Sequence, residues 1–445
     1  MPFIPNTDAD RKEMLSAVGV SSIEDLLKNI PESIRLRNGM DIPAGLSEYE
    51  VLKELHAIAS QNSAAGSLVS FMGGGAYDHY IPAAVGAITS RSEFSTSYTP
   101  YQAEVSQGTL QAIYEYQTMV CNLTGMDVAN ASMYDGGSAL AEAALLAVGH
   151  TGRREIVVAG KIHPHYLAVI RTYCEGQEIQ VKQVTTSLGV VLSEKLKLSI
   201  SENTAAVIIQ NPNFYGCLED GIGIGAIAHS VGALFITAID PISLGVLSSP
   251  GDYGADVVVG EGQVFGNALN FGGPFLGMFA VKEFLLRKIP GRLSGVTVDA
   301  KGERGFVLTV QTREQHIRRD KATSNICTNE GLVMLAATVY LALLGKSGLQ
   351  EIARLCLQKS HYFAERLSEV KGFRLKYSQP FFREFVLDTP APPHTIISQL
   401  IPRGFASGID LRQFGEKETG LLVAVTEKRS KAEMDRFVEE LGRRF

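Results

Sequence analysis

Residues 198–281 of this 445-residue chain contain no lysine and no arginine. The same stretch holds seven carboxylates: Glu202, Glu219, Asp220, Asp240, Asp252, Asp256 and Glu261. Apolar runs at 207–210, 234–239 and 257–259 alternate there with glycine-rich turns, and another apolar run precedes them at 156–159. These runs are continuously apolar, and segments of crossover length separate them. That pattern predicts a mostly parallel sheet covered on both faces by helices. A carboxylate, Asp240, stands at the end of one such strand.

Composition sets the outer limits. With 45% hydrophobic and 20% charged residues the chain can bury a large core. A net charge of −6 argues against a nucleic-acid binder, which would carry a basic footprint. The cysteines, Cys121, Cys174, Cys217, Cys327 and Cys356, are scattered, odd in number and never spaced C-x-x-C. Neither a disulfide framework nor a zinc site is expected. The N-terminus does not read as a signal peptide, and no apolar run is expected to reach the roughly 18–20 residues of a membrane span. The expected compartment is a reducing cytoplasm, with no membrane and no nucleic acid among the partners.

Three regions follow from the pattern. Residues 1–65 read as a helical arm of short capped helices, with capping-box spacing at Thr7/Asp10, Ser21/Glu24 and Ser47/Glu50 and a stop at Gly19. Residues 66–325 form the large domain, with helices expected at 108–123 and 139–148. Residues 326–445 form a smaller α+β domain, opened by a long helix over 329–344. It closes with a strand at 421–425 and a helix capped by Ser430 and Glu433.

Several segments could carry chemistry. Asp135-Gly136-Gly137-Ser138 opens a helix, and backbone N–H groups with a hydroxyl at a helix N-terminus suit a phosphate. A capped helix with glycines for close packing reads equally well. His163 follows a strand and could stack on a planar cofactor. With His165 it also imitates a metal pair, but no third ligand lies nearby in sequence. Asp240 could bind a protonated pyridine nitrogen or cap the turn at Asp240-Pro241. Gly221-x-Gly223-x-Gly225 and Gly260-x-Gly262-x-x-x-Gly266 lack the strand–loop–helix context of a dinucleotide fingerprint. Ser97-Tyr98-Thr99-Pro100-Tyr101-Gln102 and Gly75-Ala76-Tyr77-Asp78-His79-Tyr80 could be aromatic walls for a ligand, or ordered loops. Arg313, His316, Arg318, Arg319 and Lys321 form a basic cluster, read as a solvated face or a partner contact.

Together these segments resemble the glycine cleavage system P-protein family, in its split form, subunit 1. The resemblance is carried by Ser97-Tyr98-Thr99-Pro100-Tyr101-Gln102-Ala103-Glu104-Val105-Ser106-Gln107-Gly108, Tyr116-Gln117-Thr118-Met119-Val120-Cys121 and Thr124-Gly125-Met126-Asp127-Val128-Ala129-Asn130. It continues through Tyr253-Gly254-Ala255-Asp256, Asn270-Phe271-Gly272-Gly273-Pro274, Ser324-Asn325-Ile326-Cys327-Thr328-Asn329 and Leu422-Val423-Ala424-Val425-Thr426-Glu427. It departs at Ala103, where proline is expected. The resemblance implies a fold type I pyridoxal-phosphate transferase architecture, aspartate-aminotransferase-like. It also implies a reaction: decarboxylation of glycine, with the aminomethyl group passed to the lipoyl arm of H-protein.

In the split form the lysine that anchors pyridoxal 5'-phosphate belongs to subunit 2. That implication suits a chain that offers Gln263 near the expected anchor, since an amide forms no imine. Gly136, Gly137, Ser138, His163, Asp240 and Gln263 are then expected to outline a vestigial cofactor pocket with no catalytic residue in it. Tyr98, Thr99, Pro100, Tyr101 and Gln102 are expected to face the partner's site in an α2β2 assembly. A catalytically inactive scaffold or regulatory homologue of the same fold is the alternative.

Overall fold

The computed structural model describes residues 5–445 apart from 37–38, 65, 97, 186–187, 323, 327–328 and 416–418. Ser97, Cys327 and Thr328, quoted above, lie outside the described residues. The chain divides into two bodies, Met1–Ser63 and Ala64–Phe445.

The first body contains the helices Asp8–Val18, Ile23–Leu26 and Glu48–Ala59, each opened by a capping box. Thr7 with Asp10 and Ser47 with Glu50 cap as their spacing predicts, and Gly19 ends the first helix in the left-handed region at φ 78°. The second box is displaced by one residue. Ser22 with Asp25 forms it, because the Asp25 carboxylate accepts the backbone N–H of both Ser21 and Ser22. None of the residues in these three helices is buried.

The second body is built on a seven-stranded sheet. Its strands are β1 (Val128–Ala129), β2 (Glu155–Ala159), β3 (Gln180–Val184), β4 (Thr204–Asn211), β5 (Leu234–Ile239), β6 (Val257–Glu261) and β7 (Gly277–Val281). The order across the sheet is β3-β2-β4-β5-β6-β7-β1. Neighbours from β3 to β6 run parallel, and β7 runs antiparallel to both β6 and β1. Every residue of β2, β5 and β6 is buried, as a strand covered on both faces requires.

A second sheet comprises β8 (Arg374–Leu375), β9 (Glu384–Asp388), β10 (Ile409–Asp410) and β11 (Leu421–Ala424), in the antiparallel order β8-β9-β11-β10. The helix Gly331–Ser368 serves both sheets. Met334, Leu335 and Tyr340 pack in the core of the first, and Phe363, Ala364 and Leu367 in that of the second. The helix was expected to end at 344; instead Gly345 sits at a kink (φ 57°, ψ −170°) and the helix resumes beyond it. Counted whole, the helix is long and apolar enough to cross a membrane by length and mean hydropathy alone. Half of its most apolar window is buried inside the protein, which is the behaviour of a core helix.

Two helices exceed their expected bounds. Gln107–Thr124 ends at Gly125 in the left-handed region, as predicted, and Gly136–Thr151 runs through Gly149 to stop at Gly152. A hairpin of Leu293–Val298 with Arg304–Thr309 was not anticipated. Two glutamines of the helix Gln107–Thr124 hold it. The Gln107 amide donates to the Phe306 carbonyl (2.8 Å) and accepts its N–H (2.8 Å). Gln117 does the same with Ser294, at 3.0 and 2.8 Å. Each amide thus bonds to the hairpin backbone as a neighbouring strand would.

Candidate functional site

The parallel strands bring their carboxyl ends to one edge, where open α/β sheets place their sites. His163 follows β2, Asp240 follows β5, Glu261 ends β6, and Gln263 lies in the short helical turn after it. The helix Gly136–Thr151 starts beside them. A segment from elsewhere in the chain fills the space between. Phe71 enters by pairing with Ala406 and Ala424, and its ring stacks on Phe363 at 4.4 Å. From there residues 73–80 run across the sheet edge.

This segment bonds directly to His163 and Gln263 among the residues singled out from the sequence. The His163 Nε2 lies 2.7 Å from the Gly74 carbonyl, and its Nδ1 accepts the N–H of His165. Nε2 therefore carries the proton. Burial pushes the imidazole down to about 4, so the ring is neutral. One of its faces is stacked on Tyr166, with centroids 4.7 Å apart. The Gln263 amide accepts the Tyr77 N–H (2.9 Å) and donates to the Tyr77 and Asn267 carbonyls, at 3.2 and 2.6 Å.

Asp240 is claimed by Arg383, which precedes β9. Nη2 donates to Oδ1 at 2.8 Å and Nε lies 2.6 Å from Oδ2. Arg383 is 1% exposed, and its guanidinium carbon sits 3.6 Å from the centre of the Tyr77 ring. Burial opposes its charge most strongly of any single influence, but Asp240, Tyr77, Cys356 and Glu384 together outweigh it and raise the guanidinium above its ordinary value. On its far side Arg383 meets His79 Nε2, and His79 Nδ1 lies 2.6 Å from Glu427. The Tyr77 hydroxyl donates to Glu384 at 2.6 Å. Burial pushes the Glu384 carboxyl up to about 7, against the bonds from Tyr77 and the Gly74 N–H.

The helix start is also claimed. Glu261 accepts the N–H of Gly136 (3.0 Å), Gln263 (2.9 Å) and Leu276 (2.8 Å). Asp135 caps the helix through the Ser138 N–H, and the Ser138 hydroxyl turns back to the Asp135 backbone. The glycines make room for Tyr166: a Cβ on Gly136 would stand 2.5 Å from its hydroxyl, and one on Gly137 3.2 Å from its ring.

A cavity of about 430 Å³ remains, lined by Asp135, Glu261 and Glu330 with His163, His165 and Tyr166, and by no lysine or arginine among the described residues. Pyridoxal phosphate does not fit these residues. The strand-end carboxylate is neutralised by Arg383, the Glu261 carboxyl already sits on the helix N–H group a phosphate would use, and the described walls offer no cation to hold an anion. Arg383 and Glu261 were missed from the sequence. Asp240 and Gly136 bond to partners 143 and 125 residues away, and no local pattern announces such a pair.

His79, Cys356 and Glu427 also lie within 4.8 Å of one another, the spacing of a metal site. The guanidinium against His79 Nε2 and a buried thiol pushed up to about 12 disfavour a cation there.

The loop expected to face a partner lies elsewhere. Tyr98 and Tyr101 are 49% and 44% exposed, and the Tyr98 hydroxyl donates to Gln102 at 2.6 Å. Thr99 and Pro100 line a second cavity, of about 420 Å³. Asn329 and Gly331 line this cavity, and Glu330 between them lines the first, so the two flank the start of the helix Gly331–Ser368. In the basic cluster, Arg313 holds the backbone carbonyls of Ile289 and Gly291 and is a structural clamp.

The sequence pattern of the glycine cleavage system P-protein family matches residues 1–441. The chain belongs to the glycine cleavage system P-protein family. It is 58% identical over 441 residues to the probable glycine dehydrogenase (decarboxylating) subunit 1 of Chloroherpeton thalassium, covering 99% of both chains. With the like-named protein of Chlorobaculum tepidum it shares 57% over 443 residues, again 99% of each. Among solved structures it superposes on the glycine decarboxylase (P-protein) of the glycine cleavage system, in inhibitor-bound form. The TM-score is 0.90 and the identity 44%, over 100% of both chains. A sphingosine-1-phosphate lyase of Burkholderia pseudomallei has TM-score 0.66 at 14% identity, over 93% of this chain and 94% of its own. That likeness shows the fold alone. The P-protein chain has the fold type I architecture expected from its sequence.

Proposed function

We propose that this chain is the half of a split glycine dehydrogenase (decarboxylating) that carries no anchoring lysine, and that it acts only with a lysine-bearing subunit 2. One observation carries the reading: Gln263 stands at the expected anchor, bonded to Tyr77 and Asn267, while Arg383 occupies Asp240. The resemblance and the relatives' names support a partner subunit. In that assembly, an α2β2 tetramer in the cytoplasm, pyridoxal phosphate is held covalently by subunit 2. It supplies the electron sink when glycine loses carbon dioxide, and the lipoyl arm of H-protein takes the aminomethyl group.

This chain contributes walls and orientation. Its loop 98–102 faces the partner's site, where Tyr98, Thr99 and Tyr101 offer hydroxyls and Pro100 fixes the backbone. Co-expression with a lysine-bearing homologue tests the reading. The expected result is one stable complex that exchanges glycine carboxyl with carbon dioxide, neither chain being active alone. Activity of this chain by itself, or failure of the two to associate at micromolar concentration, overturns it.

A further inference from the structure

The 420 Å³ cavity beside the loop is chemically unlike its neighbour. Its walls include Ser95, Thr96, Thr99 and Thr109, and the only charged side chain among its described lining residues is Arg292. Arg292 is 3% exposed. Nη1 donates to Asn329, which lines the cavity too, at 3.1 Å, Nη2 donates to the Tyr101 hydroxyl at 3.3 Å, and the Tyr101 ring lies 5.2 Å from the guanidinium carbon. These contacts fix the plane of the guanidinium before any ligand arrives, so little side-chain entropy remains to be lost on binding.

Gly331 and Leu332 of the same wall are the first residues of a long helix whose start has no side-chain cap. The positive end of that helix adds to the field of the guanidinium. Glu330, the nearest acid in sequence, lines the other cavity. Tyr98 and Leu332, 49% and 48% exposed, line this one, and a partner covering them would exclude water from it.

We propose that this cavity is an anion-binding subsite centred on Arg292, taking a small carboxylate or a phosphate. The site stands on this chain's own geometry. Where its anion comes from rests on the reading above: the carboxylate of glycine, or the phosphate of the partner's cofactor.

The isolated chain tests the site. Its melting is followed against sodium phosphate and sodium acetate at constant ionic strength. The expected result is a saturable rise with at least one anion, lost in Arg292→Gln and partly kept in Arg292→Lys. Charge-assisted hydrogen bonds of this kind are worth roughly tenfold or more in affinity. Because Arg292→Gln also removes the bonds to Asn329 and Tyr101, Ala112→Leu adds bulk to the cavity wall with the guanidinium left in place. It too is expected to abolish the rise. No saturable rise, or one that survives both Arg292→Gln and Ala112→Leu, overturns the proposal. The assembled enzyme then identifies the source. A KM for glycine raised about tenfold in Arg292→Gln, with cofactor retained, assigns the carboxylate. Loss of cofactor on dialysis assigns the phosphate. If the isolated chain binds anions but neither quantity moves, the subsite stands and the placement of the loop at the partner's centre fails.

Discussion

Arg383 grips Asp240 at two points under the ring of Tyr77, with the guanidinium buried and the carboxylate about a tenth exposed. A strand-end carboxylate that could serve a ligand is thereby spent on the protein itself. Removing one member of such a pair strands the other as a buried charge. Arg383→Met is expected to cost about 3–5 kcal/mol in urea or thermal unfolding. Asp240→Asn should cost a similar amount, and the double variant clearly less than the sum of the two. Additive losses would show that the pair does not act as a unit.

Restoring the lysine is expected not to restore the pocket. In Gln263→Lys, incubation with pyridoxal phosphate and borohydride should label no position stoichiometrically. Glu261 still holds the Gly136 N–H, and Arg383 still holds Asp240. Peptide mapping after reduction decides it, and a stoichiometric label on residue 263 would refute the account of the blocked pocket.

Burial pushes Glu142, Glu219, Glu261 and Glu384 each from an ordinary 4.5 up to about 7. Between those two values the folded chain holds protons that the unfolded chain has released. These groups therefore lower stability as pH rises from about 4.5 to 7, and the penalty is complete above 7. Glu142→Gln removes one such group. The expected outcome is a flatter dependence of unfolding free energy across that window, by up to ~1.4 kcal/mol per pH unit. An unchanged slope would place Glu142 in contact with water.

Gln107 and Gln117 each make two bonds to the backbone of the hairpin. Gln107→Ala or Gln117→Ala is expected to destabilise by about 1–3 kcal/mol, since hairpin N–H and C=O groups lose their partners. Hydrogen exchange should show the loss first at Phe306 or Ser294 respectively.

In the assembled enzyme, Tyr101→Phe and Thr99→Ala should separate a site role from a scaffold role. At least one is expected to slow glycine–carbon dioxide exchange, or raise the requirement for H-protein, while melting and assembly stay near wild type. Activity lost only in step with stability would make the loop a support.

The parallel sheet was legible because its strands are buried on both faces and so read as unbroken apolar runs. β5 spans its predicted residues, and β4 extends only three residues earlier and one later than expected. The start of the helix Gly136–Thr151 was placed late, since Gly136 and Gly137 look like loop until Tyr166 is seen lying over them. The helix expected over 329–344 was cut short because local sequence cannot distinguish the kink at Gly345 from an end. The hairpin of Leu293–Val298 with Arg304–Thr309 was hidden, because its register is secured by glutamine side chains far off in sequence. His163, Asp240, Gln263 and the start of the helix Gly136–Thr151 do meet at one sheet edge, but what occupies that edge was not legible. What fills it, residues 73–80 and Arg383, arrives from both sides of the sheet in chain order.

That crossing ties the two sheets together. Arg383 and Glu384 belong to the small sheet's side, Asp240 and Gln263 to the large sheet's edge, and Tyr77 and His79 bond across the seam. Many enzymes with a cleft between two lobes open and close it around what they bind. Here the jaws are bolted shut by the protein's own charges, and opening them would cost the buried ion pair each time. The seam between the two sheets of residues 64–445 is therefore held closed by the chain's own side chains, and a hinge there is opposed rather than built in.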